Sequence, residues 1–229
     1  MTPKIIVSYD DTDNDRDALT LGRLLAVSGA ELSLAYVRHH QAGERSREAV
    51  EQKQAEELLG HGAQAIGAPD APRHVVVHAS TGEGLIELAE REHAHVVVFG
   101  SEYRTAPGAV VPGTSAQRML SGGSTAVAVA PADLRSRASV RVARIGIISD
   151  GDDAAEDTAQ TLSGALGAKI VDPDEEAVDL LVVGSRDGAP EGRLELSAAA
   201  EYAIETATSP VLAVPRGAPV LFAEPALSA

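Results

Sequence analysis

The chain contains no cysteine, which excludes disulfide cross-links, thiolate metal sites and a cysteine nucleophile. No apolar run approaches the roughly 18 residues needed to span a bilayer. The short apolar stretch after Met1-Thr2-Pro3-Lys4 is too brief for a secretory core, which predicts a cytoplasmic protein with no membrane partner. Basic residues are scarce: 19 Lys and Arg face 34 Asp and Glu, a net charge of −15. So acidic a chain repels the phosphates of DNA and RNA, so no nucleic-acid polymer is expected as a partner. No G-x-S-x-G turn occurs, which leaves an α/β-hydrolase triad without its nucleophile elbow. What remains is a globular composition: of 229 residues, 44% are hydrophobic and 23% charged, enough for a core.

Two kinds of segment alternate through the first 131 residues. Ile5–Tyr9 reads as a strand bounded by Asp10, Asp11, Asp13 and Asp15. Leu19, Leu21, Leu24, Leu25 and Val27 then follow at near-helical spacing, with Gly29 placed as a stop. Leu32–Val37, His74–Ala79, His95–Gly100 and Thr125–Ala130 read as further strands. Glu44–Leu59, closed by Gly60, and Glu83–Glu92 and Thr114–Leu120 read as helices between them. Such alternation predicts an α/β fold with a parallel sheet covered on both faces. The runs VVVFG and AVAVA suit strands buried on both sides.

An internal repeat is the most specific signal. An offset of 84 maps Gly100 on Gly184, Ser101 on Ser185, Val127 on Val211 and Pro131 on Pro215 without a gap. Near the start of each half an offset of 140 maps Ile5 on Ile145 and Asp10 on Asp150. The difference of 56 residues matches a missing helix–strand–helix block, from about Val37 to Glu92, so the second half reads as a shortened copy. The expected division is a complete domain over 1–131, a polar linker over 132–139, a truncated domain over 140–216 and a tail over 217–229.

Gly113-Thr114-Ser115 precedes a predicted helix, where free backbone N–H groups and two hydroxyls could cradle a phosphate. The alternative is that Thr114 or Ser115 merely caps the helix. With Gly100 thirteen residues upstream the two readings stand level. Residues 108–115 fail as a P-loop, because Thr114 stands where that motif needs Lys. The Asp10–Asp15 cluster lacks the Gly and Glu positions of a Ca²⁺ loop; Asp13 or Asp15 instead suits a helix N-terminus. His74 and His78 share a strand face and His39-His40 end a strand, with no further ligand at metal spacing.

The repeated residues resemble the universal stress protein family in its tandem form, over residues 4–131 and 142–216. ATP-binding members carry a Gly, two residues, a second Gly, nine residues, then Gly with Ser or Thr. Here Gly100, Gly113 and Thr114 match, while Tyr103 replaces the second Gly. The resemblance implies a five-stranded parallel sheet ordered 3-2-1-4-5, of the adenine nucleotide alpha hydrolase-like kind, followed by the truncated copy. It implies an adenine-nucleotide site formed by Asp10, Val37, Gly100, Ser101, Gly113, Thr114 and Ser115. The expected ligand is ATP or AMP, with Mg²⁺ beside a triphosphate.

Two substitutions oppose a triphosphate. Tyr103 forfeits the close approach and positive φ that a Gly allows, and Glu102 adds a like charge. In the second half Asp187 and Ser197-Ala198 replace motif positions, so that copy is expected to bind nothing. Family members pair through strand 5, so residues 210–215 are expected beside 125–131 as an intrachain pseudo-dimer, with a homodimer as a further arrangement. Three functions follow: a nucleotide-binding stress-response regulator without catalytic turnover, a ligand-free interaction protein whose pocket Tyr103 fills, and a slow ATP hydrolase with Glu102 as base. Protein partners are implied without being named.

Overall fold

A computed structural model describes residues 2–39, 45–137 and 141–222. The first half runs β1 (Lys4–Ser8), α1 (Asp13–Ala26), β2 (Glu31–Arg38), α2 (Arg45–Ala65), β3 (Arg73–Val77), α3 (Thr81–Glu92), β4 (Val96–Gly100), α4 (Thr114–Leu120) and β5 (Ala126–Ala130). The second runs β6 (Arg144–Asp150), α5 (Ala154–Leu166), β7 (Lys169–Ile170), β8 (Leu180–Arg186), α6 (Ala198–Thr206) and β9 (Val211–Val214). Among the described residues no helix is long and apolar enough to cross a membrane.

Among the described residues nine strands form one sheet, ordered β3-β2-β1-β4-β5-β9-β8-β6-β7. The first five keep the expected 3-2-1-4-5 order, but the sheet is larger than five strands because the halves join edge to edge. The junction is the β5–β9 pair, antiparallel with Val127 opposite Ala213 and Val129 opposite Val211. Every other neighbouring pair is parallel. The order β7-β6-β8-β9 repeats β2-β1-β4-β5. β4, β5, β8 and β9 are central, which is why their sequences are continuous apolar runs instead of alternating ones.

Each face of the sheet carries its own core. Ile5, Val7, Leu34, Val98 and Leu212 pack under α1, α2 and α5 through Leu21, Leu25, Leu59 and Leu162. Ile6, Ala35, Val97, Val127 and Val183 pack under α3, α4 and α6 through Leu85, Leu88, Met119 and Ile204. α1 starts earlier than its leucines suggest, because the Thr12 side chain accepts the Asp15 N–H and caps it. α2 continues through Gly60 to Ala65 instead of stopping there. A Cβ on Gly62 would lie 2.8 Å from both Leu34 and Tyr9, so glycine lets this helix approach the sheet.

The segments expected to be linker and tail carry more core than their composition suggests. Ala132 and Leu134 are buried, and residues 134–136 form a 3-10 turn. Beneath them Asp17, fully buried, accepts the N–H groups of Asp133 (2.8 Å) and Arg135 (2.9 Å) and pairs with the Arg135 guanidinium at 3.0 Å. Val220 and Phe222 are buried on α5, where Val220 N–H donates to the Thr158 hydroxyl at 2.9 Å. Residues 138–139 of the expected linker, 223–229 of the expected tail, His40 and Glu44 lie outside the described residues.

Candidate functional site

In this strand order the connections after β1 and β4 leave in opposite directions, which opens a crevice beyond their carboxyl ends, the usual ligand position in such sheets. Asp10 follows β1 and Gly100 closes β4, so the topology brings those two candidates to the same crevice. Asp10 is exposed; its carboxylate accepts the Thr12 N–H at 3.2 Å, and its own N–H donates to Asp15 at 3.2 Å. Burial, and then the hydrogen bond and charge of Asp10, push the Asp15 carboxyl well above the usual carboxylate range. Asp11 holds a left-handed backbone (φ 65°). It accepts the Tyr9 hydroxyl at 2.7 Å and pairs with Arg16 at 3.0 Å; those two hydrogen bonds keep its pKa low. Asp13 pairs with Arg135 at 3.2 Å. Among the described residues no three His, Asp or Glu side chains gather as a metal site.

The first turn of α1 sits directly on the end of β4. A Cβ on Gly100 would lie 2.1 Å from the Asn14 carbonyl oxygen. The Asn14 amide then donates to the Ser101 carbonyl at 2.8 Å and the Glu102 carbonyl at 2.7 Å. Asn14 therefore bridges the two sides of the crevice. Nothing in the sequence distinguished it from any other polar residue in a first helical turn.

Ser101 is buried and committed to the backbone. Its hydroxyl donates to the Ala130 carbonyl at 2.7 Å and accepts the Val111 N–H at 3.2 Å, tying the loop to β5. Ser185 does the same: it donates to the Val214 carbonyl at 3.0 Å and accepts the Glu195 N–H at 3.4 Å. Both partners are displaced by the same 84 residues. The loop's backbone bonds repeat likewise, Gly108 to Ala132 in one half and Gly192 to Arg216 in the other.

Tyr103 does not fill the crevice: it is 78% exposed, and the Arg104 guanidinium lies 5.3 Å from its ring centroid. Nor does position 103 need glycine. The left-handed residue of this turn, which the Thr105 N–H closes onto the Glu102 carbonyl at 3.1 Å, is Arg104 (φ 68°). Val37 lies elsewhere, on β2, its side chain buried in the core beneath α3 beside Gly84.

At α4 the capping alternative fails. The N-cap is Gly113, with no side-chain hydrogen bond, and Thr114 and Ser115 are already inside the helix. Among the described residues neither hydroxyl makes a hydrogen bond, so the first amides of α4 stand open. At the equivalent place in the second half, Ser197 caps α6 by accepting the Ala200 N–H at 3.1 Å. Sequence reasoning noted Ser197 in place of Gly113 only as a lost motif position, and did not read it as a filled cap against an empty one.

Residues 1–131 match a family model described as the universal stress protein family. No curated protein sequence matches the chain. A universal stress protein from Archaeoglobus fulgidus DSM 4304 superposes over 93% of this chain and 98% of its own, with a TM-score of 0.58 and 18% identity. A protein of unknown function from Pseudomonas aeruginosa PAO1 superposes over 94% and 93%, with a TM-score of 0.60 and 13% identity. Both likenesses show the fold. A universal stress protein crystallised in complex with cAMP overlaps 42% of this chain and 75% of its own, at a TM-score of 0.36 and 21% identity.

Proposed function

From the premise that the chain belongs to the universal stress protein family, we propose that it is a cytoplasmic stress-response regulator that holds an adenine nucleotide, ATP or AMP, in its first half and does not turn it over. The observation that carries this reading is the uncapped start of α4, where backbone donors and the Thr114 and Ser115 hydroxyls are open to an anion. Gly113, Thr114 and Ser115 would hold phosphate and Asp10 would face the adenosine, whereas Val37, buried in the core beneath α3, offers the adenine no free surface. Gly100 and Ser101 shape the loop without offering a free donor, since one packs on Asn14 and the other is bonded to β5. Mg²⁺ would accompany a triphosphate to offset the carboxylate of Glu102. On the same reading, residues 140–216 are a shortened copy that binds no nucleotide and covers the β5 edge as an intrachain pseudo-dimer partner.

A specific observation favours a second reading, a ligand-free interaction protein. Asn14 closes the crevice between β1 and β4 with two hydrogen bonds that a nucleotide would have to pass or break. One experiment separates the readings. Heat-denatured protein is extracted and the nucleotide identified by chromatography and mass spectrometry, and the emptied protein is titrated with ATP and with AMP. About one adenine nucleotide per chain, or saturable binding by the emptied protein, supports the regulator. An empty extract together with flat titrations supports the ligand-free reading.

A further inference from the structure

The antiparallel β5–β9 junction places α4 and α6 side by side over the centre of the sheet, and a groove of about 570 Å³ opens between them. Its lining is pseudo-symmetric. Leu120 and Ile204, both buried, form the floor with Pro112 and Leu196, and each pair is related by the 84-residue offset. The walls are paired by the same offset but differ in charge: Gln117 on α4 and Ser121 at its C-terminal cap correspond to Glu201 and Glu205 on α6. At one end Arg186 forms an ion pair with Glu195, which leaves that cation neutralised. Glu201 and Glu205, four residues apart on one helix face, have no cationic partner among the described residues. The volume falls in the range of small-molecule sites.

We infer that this groove is a binding site for an aliphatic polyamine. The chemistry is complementary at both levels. A methylene chain lies on the apolar floor, and ammonium groups meet carboxylates whose Cβ atoms stand about 6 Å apart, the usual distance for such a helical pair. The α4 wall offers the Gln117 side-chain carbonyl, whose amide N–H is already donated to the Pro112 carbonyl at 3.0 Å. A bare divalent ion would gain nothing from the leucine and isoleucine floor, so shape as well as charge selects the ligand. The groove shares no lining residue with the proposed nucleotide site, although Pro112 adjoins Gly113, and the inference does not rest on a bound nucleotide.

Spermidine is the probe, titrated calorimetrically into the full chain and into two double variants of equal net charge. Glu201→Gln with Glu205→Gln removes the carboxylate wall, while Asp70→Asn with Glu175→Gln alters exposed carboxylates outside the groove. All four positions are exposed, and unchanged circular dichroism and melting check that both variants fold. The expected result is one saturable site, weakened at least tenfold by the groove variant and less than twofold by the other, and not displaced by Mg²⁺ at equal charge. Absence of saturable binding, equal weakening by both variants, or displacement by Mg²⁺ would each overturn the proposal. Binding would then be absent or owed to the diffuse acidic field.

Discussion

Gly100 and Gly184 occupy the same place in the repeat, yet adding one methyl group to each should have very different consequences. At Gly100 the new Cβ falls 2.1 Å from the Asn14 carbonyl oxygen and 2.5 Å from its carbon, both backbone atoms that no rotamer change can move. Restoring an ordinary 3.4 Å contact requires the first turn of α1 to retreat by about 1.3 Å. Overpacking of this kind costs about 1–3 kcal/mol. The retreat also breaks the two Asn14 hydrogen bonds to Ser101 and Glu102, at about 1 kcal/mol each. Lower entropy of the unfolded chain returns about 0.4–1 kcal/mol. The net loss is on the order of 2–5 kcal/mol. At Gly184 the nearest atom is the Ala155 Cβ at 3.3 Å, and the nearest backbone lies at 3.7 Å. Gly184→Ala should therefore stay within about 1 kcal/mol of the parent. Urea unfolding followed by far-UV circular dichroism reads both, since a loss of about 3 kcal/mol shifts the midpoint by about 1–2 M at a typical slope. Equal losses for the two variants would refute the claim that close approach of α1, and not the strand itself, requires glycine at 100.

The other predictions test single contacts. Asp17→Asn should destabilise the protein by about 2–4 kcal/mol in the same assay, less than a fully buried pair because Arg135 is 33% exposed; a loss below about 1 kcal/mol would mean that the 133–135 turn holds without it. Ser101→Ala and Ser185→Ala should each cost about 1–2 kcal/mol and add in the double variant, since the clamps share no atom. Tyr103→Gly should leave ATP affinity within about twofold in calorimetry, because the exposed ring obstructs nothing; marked tightening would restore Tyr103 as the obstacle. Gly113→Ser has room for its side chain, the nearest atom to the added Cβ being 4.0 Å away. It should raise stability by a few tenths of a kcal/mol while weakening nucleotide binding, since the new cap takes the donors; unchanged affinity would place the phosphates elsewhere.

Local features of this chain were legible where one physical cause dominated. α4 begins and ends at the residues its sequence indicates, Thr114 and Leu120, and the VVVFG and AVAVA runs are central strands because nothing but burial on two faces suits them. The edge that joins the halves was expected from the family resemblance, and its physical basis is that each half alone would expose an apolar strand. α2 was misjudged at Gly60 because a glycine that ends a helix and one inside it look alike in sequence; the helix runs on through Gly62, whose missing side chain lets it approach the sheet. Asp17 was hidden among neighbouring carboxylates, since its partner Arg135 lies 118 residues away in a segment that reads as a polar linker. Residues 217–222 read as tail because Pro219 and the lack of a counterpart in the first half outweighed their apolar side chains, yet Val220 and Phe222 dock on α5, whose hydroxyls accept their backbone N–H groups.

The repeat itself serves as an internal control on the site. What both halves share under the 84-residue offset is a clamp: a buried serine, its carbonyl acceptor and the N–H it accepts recur partner for partner. A feature kept in both halves, when only one is proposed to bind a nucleotide, is explained by folding alone, and this removes Ser101 from the direct contacts. The halves differ at the helix start that follows the clamp. Gly113 leaves the amides of α4 open, whereas Ser197 closes those of α6 with its own hydroxyl. Leaving an N-cap empty forgoes a few tenths of a kcal/mol relative to serine. A chain that fills this cap in one half and leaves it open in the other has kept donors free at the place where an anion is proposed to bind. The difference between residues 113 and 197, more than the count of motif glycines, therefore carries the functional argument. Exchanging the two residues, Gly113→Ser with Ser197→Gly, should leave overall stability nearly unchanged and reduce nucleotide binding in the first half.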